Sequence, residues 1–359
     1  MHRLALAALL LMVAVSGCGV AGDATIEAPV TVYVSLPLTG PRGADGRDAA
    51  DGARLALEEA GGEVGSIDVG ARFLDDAKDR AWDPVAVGAN ARQAVQDSSA
   101  AAYIGELDSE PTRASVPITN DAGLVQVSPG AGAVDLTAPA AGYPDSPDRY
   151  QPSGSPNFAR TIPSDEVVVE AAAEWVSALG ATRAVVGTDG SPFEELSATE
   201  FQAAAAGHGV QASIARGPVS FRPLARPRTA TYDTRVERLR ISGDPARTYE
   251  LSAELDPARL PDTAFPGRFK RRFGRAPGPS AAYGYEAMAL VLQAIGDAGT
   301  DASSFRDEVR DGVLGANRDE TVLGSYAITS DGDTTECMIQ RYRVEGSART
   351  PLGAPCPTD

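Results

Sequence analysis

The residues able to do covalent or metal chemistry are few and far apart. The chain holds two histidines, His2 and His208, and three cysteines, Cys18, Cys337 and Cys356. Nucleophilic catalysis of the triad kind needs a base beside the nucleophile, and a zinc centre needs three or four ligands brought together. The scatter of His and Cys excludes both. His208, in Ala206-Gly-His-Gly209, reads as an exposed loop residue. Carboxylates are plentiful, but the adjacent pair Asp75-Asp76 ends an apolar run, a setting in which acids are structural. Asp331-Gly-Asp333 opens like a calcium loop yet lacks the remaining oxygen ligands and the terminal Glu, so it reads as a hairpin turn. No catalytic residue, metal site or cofactor is expected. What remains is non-covalent recognition.

Charge narrows the partners. Acidic residues outnumber basic ones by 49 to 32, a net charge of −17. Nucleic acid needs a basic footprint, and anionic lipid attracts polybasic segments; neither is offered. The basic set is almost all Arg, with Lys78 and Lys270 the exceptions. At roughly 150 residues per domain, 359 residues make about two domains. A hydrophobic share of 43% is enough for a substantial core.

The start of the chain carries an address. Met1-His2-Arg3 is short and basic, and Leu4 to Val15 is unbroken and apolar. That run is too short to span a membrane, which takes about 20 residues, and suits the core of a secretory signal. It ends in Val15-Ser-Gly-Cys18, which resembles the lipobox of bacterial lipoproteins. The resemblance implies a signal peptide over 1–17, lipidation of Cys18 and a membrane anchor, with 18–29 as a flexible tether. The protein is then an exported lipoprotein, in the periplasm or on the outer face of the cell membrane. In such an oxidising compartment a disulfide between Cys337 and Cys356 is the default.

The elements that position these residues alternate from Val30 onward. Val30 to Leu36 is a β-branched apolar run followed by a Gly-rich loop, Gly40 to Gly46. Arg47 to Ala60 puts Ala49, Ala53, Leu57 and Ala60 on one helical face and stops at Gly61-Gly62. Ile67 to Leu74 reads as a strand, and Asp83-Pro84 as a cap opening a helix to about Asp97. A strand at Ala101 to Ile104, a helix at Pro111 to Ala122 and a strand at Leu124 to Val127 complete a doubly wound parallel pattern. The Pro/Gly/Ser-rich stretch Ala138 to Asn157 marks the expected passage into a second domain. Alternation resumes with helices at Ser164 to Leu179 and Pro192 to Ala206 and strands at Arg183 to Gly187 and Val210 to Ile214. A long helix is expected at Ala282 to Ala298, then two strands, Leu323 to Ile328 and Met338 to Val344, joined through Ser330 to Asp333.

Taken in order, these stretches resemble the type I periplasmic binding proteins, above all the branched-chain amino acid binding proteins of ABC importers. The likeness is carried by Ser35-Leu-Pro-Leu-Thr-Gly-Pro41 with Gly46, by Glu59-Ala-Gly-Gly62 and Asp75-Asp76, and by Ile104-Gly-Glu-Leu-Asp-Ser109. It continues through Gly123-Leu-Val-Gln-Val-Ser-Pro129, Leu136-Thr137, Phe158-Ala-Arg-Thr-Ile-Pro-Ser-Asp165, Tyr283-Gly-Tyr285 and Leu323-Gly-Ser-Tyr326. It spans about 30–214 and 249–344.

The resemblance implies an α/β protein of two lobes, each a doubly wound, mostly parallel sheet, joined by three crossings and closing on a small ligand. Lobe 1 is expected over 30–152 plus 256–322, and lobe 2 over 153–255 plus 323–359. A ligand carboxylate is expected at the helix start near Pro111, where free N–H groups converge, with Ser109 donating its hydroxyl. Gly130-Ala131-Gly132 would add backbone N–H groups at close approach. Phe193 matches a second-lobe position where the family often closes an aromatic over the ligand, and Asp45 stands where an aromatic is common, arguing against a purely aliphatic pocket. The implied partners are an amino-acid-like small molecule, an ABC permease and, through the lipid, a membrane; the chain is expected to be a monomer and not an enzyme.

One stretch departs from the pattern. Between Ile214 and Tyr249 the family would fit about two more βα units, of roughly 30 residues each. Here the segment is short, rich in Arg (Arg222, Arg226, Arg228, Arg235, Arg238, Arg240, Arg247) and in Pro, with no apolar period. The family's groups for a ligand ammonium come from that part, and no residue here corresponds. Either a shortened second lobe takes a ligand without an ammonium, or ligand binding has decayed and the chain serves as a sensor or interaction protein.

Overall fold

A computed structural model describes residues 25–26, 29–216, 229–233, 238–241 and 248–357. The signal-like start and Cys18 lie outside them, as do parts of the Arg/Pro-rich segment. The first lobe follows the order β1 (Val30–Leu36), α1 (Gly43–Glu59), β2 (Glu63–Val64), β3 (Ile67–Asp75), α2 (Pro84–Gln96), β4 (Ala100–Ile104), α3 (Ser109–Asp121), β5 (Gln126–Ser128) and β6 (Phe158–Arg160). Its sheet runs β2-β3-β1-β4-β5-β6, parallel except for the short β2–β3 pair. β1 is central and buried on both faces. Val30, Val32 and Val34 turn toward Ala49 and Ala53 of α1, while Tyr33 turns toward Ala91 and Ala94 of α2. That two-sided burial is why the strand reads as a continuous apolar run. Asp83 caps α2 by accepting from the Ala86 N–H at 2.8 Å, with Pro84 at the first helical position.

The second lobe begins with α4 (Asp165–Ala178), β7 (Arg183–Thr188), α5 (Pro192–Gly207), β8 (Gln211–Arg216), β9 (Thr229–Asp233), β10 (Arg238–Ile241) and β11 (Thr248–Ser252). Val168, Ala172, Trp175 and Val176 of α4 and Phe201 and Ala205 of α5 cover one face, against Ala184, Val186, Tyr249 and Leu251. β7 pairs in parallel with β8 and β9; beyond β9 the pairing turns antiparallel through β10 and β11. The segment expected to lack two βα units thus contributes β9 and β10 and leads into β11. Among the described residues no α-helix lies between α5 and the helix after β11. The α/β class holds, with a parallel first sheet and a mixed second one.

The chain then returns to lobe 1 as α6 (Phe265–Phe273), α7 (Ser280–Asp297), α8 (Phe305–Leu314) and the hairpin β12 (Asn317–Thr321) and β13 (Gly324–Ala327). Met288, Val291 and Ile295 of α7 and Val309 and Val313 of α8 enter the first core. It ends in lobe 2 with β14 (Gln340–Glu345) and β15 (Ala348–Gly353), β14 pairing with β11. Cys337 and Cys356 form a disulfide across 19 residues, flanking that last pair.

Several expectations shift. The stretch 138–157 stays with lobe 1, because β6 pairs in register with β5; the passage falls after Arg160, not at 152/153. The strands expected to pair through Ser330–Asp333 belong to different sheets: β13 pairs with β12, β14 with β11 and β15. Tyr326 and Ile328 join the first core, so the third passage follows Ile328 instead of 322. The 330–333 turn itself is present, closed by a Gly332 N–H bond to Thr329 O at 3.0 Å. His208 is not a bare loop residue. It ends α5 and its Nε2 lies 2.6 Å from Glu170 of α4. Within the expected tether, the Ile26 N–H bonds Thr300 O at 2.9 Å, which seats that end on lobe 1.

Candidate ligand cleft

The loops after the parallel strands of lobe 1 face lobe 2. The loop after β1 is set by Asp75, whose Oδ1 accepts from the Leu38 N–H at 2.8 Å and whose Oδ2 accepts from Thr39 Oγ1 at 2.7 Å. This is the structural role expected of a strand-end acid. Asp108 heads α3 without capping it, since its carboxylate is taken by the Arg42 fork, Nη2 donating at 3.1 Å. The N–H groups of Ser109 and Glu110 have no helical acceptor, and Pro111 has no N–H to offer. That leaves an anion-seeking helix start.

Against it lies the loop after β5. Ser128 Oγ accepts from the Gly130 and Ala131 N–H groups at 3.2 and 2.8 Å, and Ser109 Oγ accepts from the Ala133 N–H at 3.1 Å. The Ser109 hydroxyl hydrogen therefore remains to donate. Beneath the loop the wholly buried Arg160 donates to the carbonyls of Ala131 and Ala133 at 3.1 and 2.9 Å, to Thr137 Oγ1 and to Asp333 Oδ1. With those carbonyls turned down, the peptide plane at Gly132 is held at the lobe junction. A side chain at Gly132 would run into the Asp165 carboxylate.

Asp165 is the contribution of lobe 2. It opens α4, its N–H bonds Gly132 O at 2.8 Å, and burial pushes its carboxyl up to about 6 despite Arg160 and Arg113 nearby. Arg113 in turn is bound by both oxygens of Asp135, at 2.8 and 2.6 Å. On the other flank Asp45 accepts from Arg42 Nη1 at 2.8 Å. Glu254, just past β11, accepts from Ser280 Oγ at 2.6 Å; burial and the acids Asp45 and Asp108 hold it at about 6, against Ser280 and Arg42. Three carboxylates thus share the Arg42 neighbourhood. Phe193 follows Pro192, whose Cβ would lie 3.6 Å from a Cβ at Gly142 of lobe 1.

The structure brings Ser109 together with Gly130, Ala131 and Gly132 but commits the Gly130 and Ala131 N–H groups to Ser128 Oγ, so those two are not the free ligand donors expected; it pairs Asp45 with Arg42 and sets Phe193 at the head of α5. The sequence reading missed Arg42, Asp108, Asp165 and Glu254. Asp165 had a signal, an acid opening a helix straight after a passage between lobes, but its neighbour Gly132 is distant in sequence.

Two facing α/β lobes, crossed three times by the chain with loops from both meeting at Gly132 and Asp165, define a two-lobed binding fold. The periplasmic binding protein family model matches residues 29–224, more than half of the chain, and the chain belongs to that family. It is a solute-binding protein and not an enzyme. Among solved structures, an ABC transporter substrate-binding protein from Desulfitobacterium hafniense in complex with Leu is similar at a TM-score of 0.70 and 19% identity, covering 90% of this chain and 99% of that one. A leucine binding protein from Thermotoga maritima gives 0.70 and 18%, covering 92% and 99%. An ABC transporter solute binding protein from R. palustris in complex with benzoate gives 0.67 and 16%, covering 92% and 97%. At these identities the likeness is one of fold. A comparison with curated protein sequences finds no match.

Proposed function

We propose that the chain is a lipid-anchored extracytoplasmic receptor that captures a small carboxylate-bearing ligand, such as an amino acid, and hands it to an ABC permease. Cys18 carries the lipid, and the passages at 161–164, 253–256 and 329–339 serve as hinges for cleft closure. The observation that carries this reading is the pairing of Ser109 at an uncapped helix start with the Gly130–Ala133 loop. A ligand carboxylate there receives the Ser109 hydroxyl and the first-turn N–H groups. Asp165 supplies the counter-charge for an ammonium from the lobe 2 side. That replaces the acid the family draws from the shortened segment.

The test is a thermal-shift and calorimetric screen of amino acids, amides and organic acids on the protein with Cys18→Ser. Saturable stabilisation by one class supports the reading; none across the panel refutes it in favour of a sensor or interaction protein. That second reading draws on the absence, among the described residues, of an α-helix between α5 and α6. Labelling cells with a radioactive fatty acid checks the anchor, with label expected on the native chain and absent from Cys18→Ser.

A further inference from the structure

Beneath the candidate ligand loop lie two carboxyl groups with no cation to balance them. Asp76 follows β3, Glu106 follows β4, and the end of β1 with Ser35 lies between. Both side chains are 0% exposed. Neither oxygen of Asp76, nor Oε2 of Glu106, accepts from any N–H or hydroxyl. Oε1 of Glu106 accepts from Tyr103 Oη at 2.6 Å, and the two carboxyl groups stand close enough to interact directly.

The surroundings offer no cation, only the hydroxyls of Tyr103 and Ser35 toward Glu106. β4 contributes Tyr103, β3 contributes Asp75, and Asp108 heads α3, all acids or a phenol. α2 contributes neutral Asn90, which donates to Ser35 Oγ at 3.0 Å. Arg42 is committed to Asp108 and Asp45. Two ionised carboxylates cannot share such a dry site. A carboxyl and a carboxylate can, joined by one proton.

We propose that Asp76 and Glu106 share one proton in the ligand-free protein, and that Glu106, held neutral by it, is a positioning residue for the ligand loop. The main-chain carbonyl of Glu106 accepts the Ser128 hydroxyl at 2.6 Å, and Ser128 Oγ is the oxygen that gathers the Gly130 and Ala131 N–H groups. Gln126 Nε2 donates to Gly105 O at 2.9 Å from the same side. The proton therefore fixes the turn at 105–106, and the turn fixes the loop. Losing it would set two charges against each other and move the Glu106 carbonyl off Ser128. Burial, then the charges of Asp75 and Asp108, push Asp76 up to about 6 against the pull of Glu106, while burial and the charge of Asp76 push Glu106 well above the usual carboxylate range.

This proposal rests on reading 130–133 as the ligand cradle, but its test needs no ligand. Infrared difference spectra at neutral pH between the native protein and Glu106→Gln should show the carbonyl stretch of a protonated acid lost in the variant, and likewise for Asp76→Asn. In amide spectra, the Gly130 and Ala131 signals should move with pH, with a midpoint above the usual value of about 4. Glu106→Gln, which keeps a donor toward Asp76, should hold those signals near their native positions and abolish or lower that midpoint by at least about one pH unit. Glu106→Ala should displace them at every pH. An unchanged acid band in both amide variants, or an identical loop titration in Glu106→Gln, overturns the proposal. A ligand screen that finds nothing would sink the transport reading and leave these spectra as they are.

Discussion

Ser109 and Asp165 hold opposite ends of the cleft problem, and each can be tested alone. Ser109→Ala removes a hydroxyl aimed at a charged ligand group while leaving helix α3 intact. A hydrogen bond to a charge contributes about 2 kcal/mol, so affinity for the ligand should fall roughly thirty-fold, with a modest drop in melting temperature from the Ala133 N–H that loses its acceptor; calorimetry with the ligand found by screening reads it. Asp165→Asn decides between the ligand classes left open by the sequence. If the ligand carries an ammonium, binding should weaken by an order of magnitude or more. If it is a plain organic acid, removing a buried negative charge should leave affinity equal or raise it. A variant neutral toward an amino acid would remove Asp165 from the site. Asp165 announced itself in the sequence only as an acid opening a helix, and its role stayed hidden for a physical reason: it is defined by Gly132, which only the return of the chain at the first passage brings against it.

At the scale of elements, helices α1 and α7 meet through glycine. Side chains at Gly52 and Gly284 would strike the carbonyls of Ala281 and Ala49, so the two backbones pack closer than alanine allows. Gly284→Ala should destabilise the protein by about 1–3 kcal/mol through overpacking, measured by denaturant unfolding. The disulfide acts on the other lobe. Closing a loop of 19 residues contributes about 3 kcal/mol in the chain-entropy account, so Cys356→Ser, or reduction, should lower the unfolding midpoint of lobe 2. The elements that were legible announce themselves locally. β1 and β4 are buried on both faces and read as apolar runs, and Asp83-Pro84 and Ser191-Pro192 open helices by capping. What could not be read was partner choice. Leu323 to Ile328 is strand-like, but nothing in it tells whether it pairs forward or back, and it pairs back with β12. The 138–157 stretch is loop by composition. Its allegiance to lobe 1 comes from side chains, Tyr150 Oη donating to Asp135 at 2.6 Å and Asn120 Nδ2 donating to Asn157 at 2.8 Å.

Across the whole molecule the recurring feature is the buried acid held above its ordinary range. Burial sets Glu336 at about 8, beside the disulfide in the third passage, where Oε1 accepts from the Met338 N–H at 2.7 Å and Oε2 has no partner. Asp165 and Glu254 stand at about 6 and Glu200 at about 7, each pushed up first by burial. An unfolded Glu or Asp titrates near pH 4, so between pH 4 and 8 the folded chain binds more protons than the unfolded one. Stability then falls with rising pH, at up to about 1.4 kcal/mol per pH unit for each fully buried group. The charge of −17 adds self-repulsion in the same direction. Below pH 4 the sign reverses, because Asp75 and Asp262 are held below the usual range by the hydrogen bonds they accept, which outweigh burial, and protonating them costs stability. Melting temperature should therefore peak between about pH 4 and 6 and decline steadily toward pH 8.5. Glu336→Gln, which keeps the volume and can still accept from Met338, should flatten that decline and melt higher than the native protein at pH 8.5 but not at pH 5. A native curve that rises from pH 5 to 8, or a Glu336→Gln curve parallel to it, would mean that the acid is paired or hydrated and that its burial does not govern stability at the third passage.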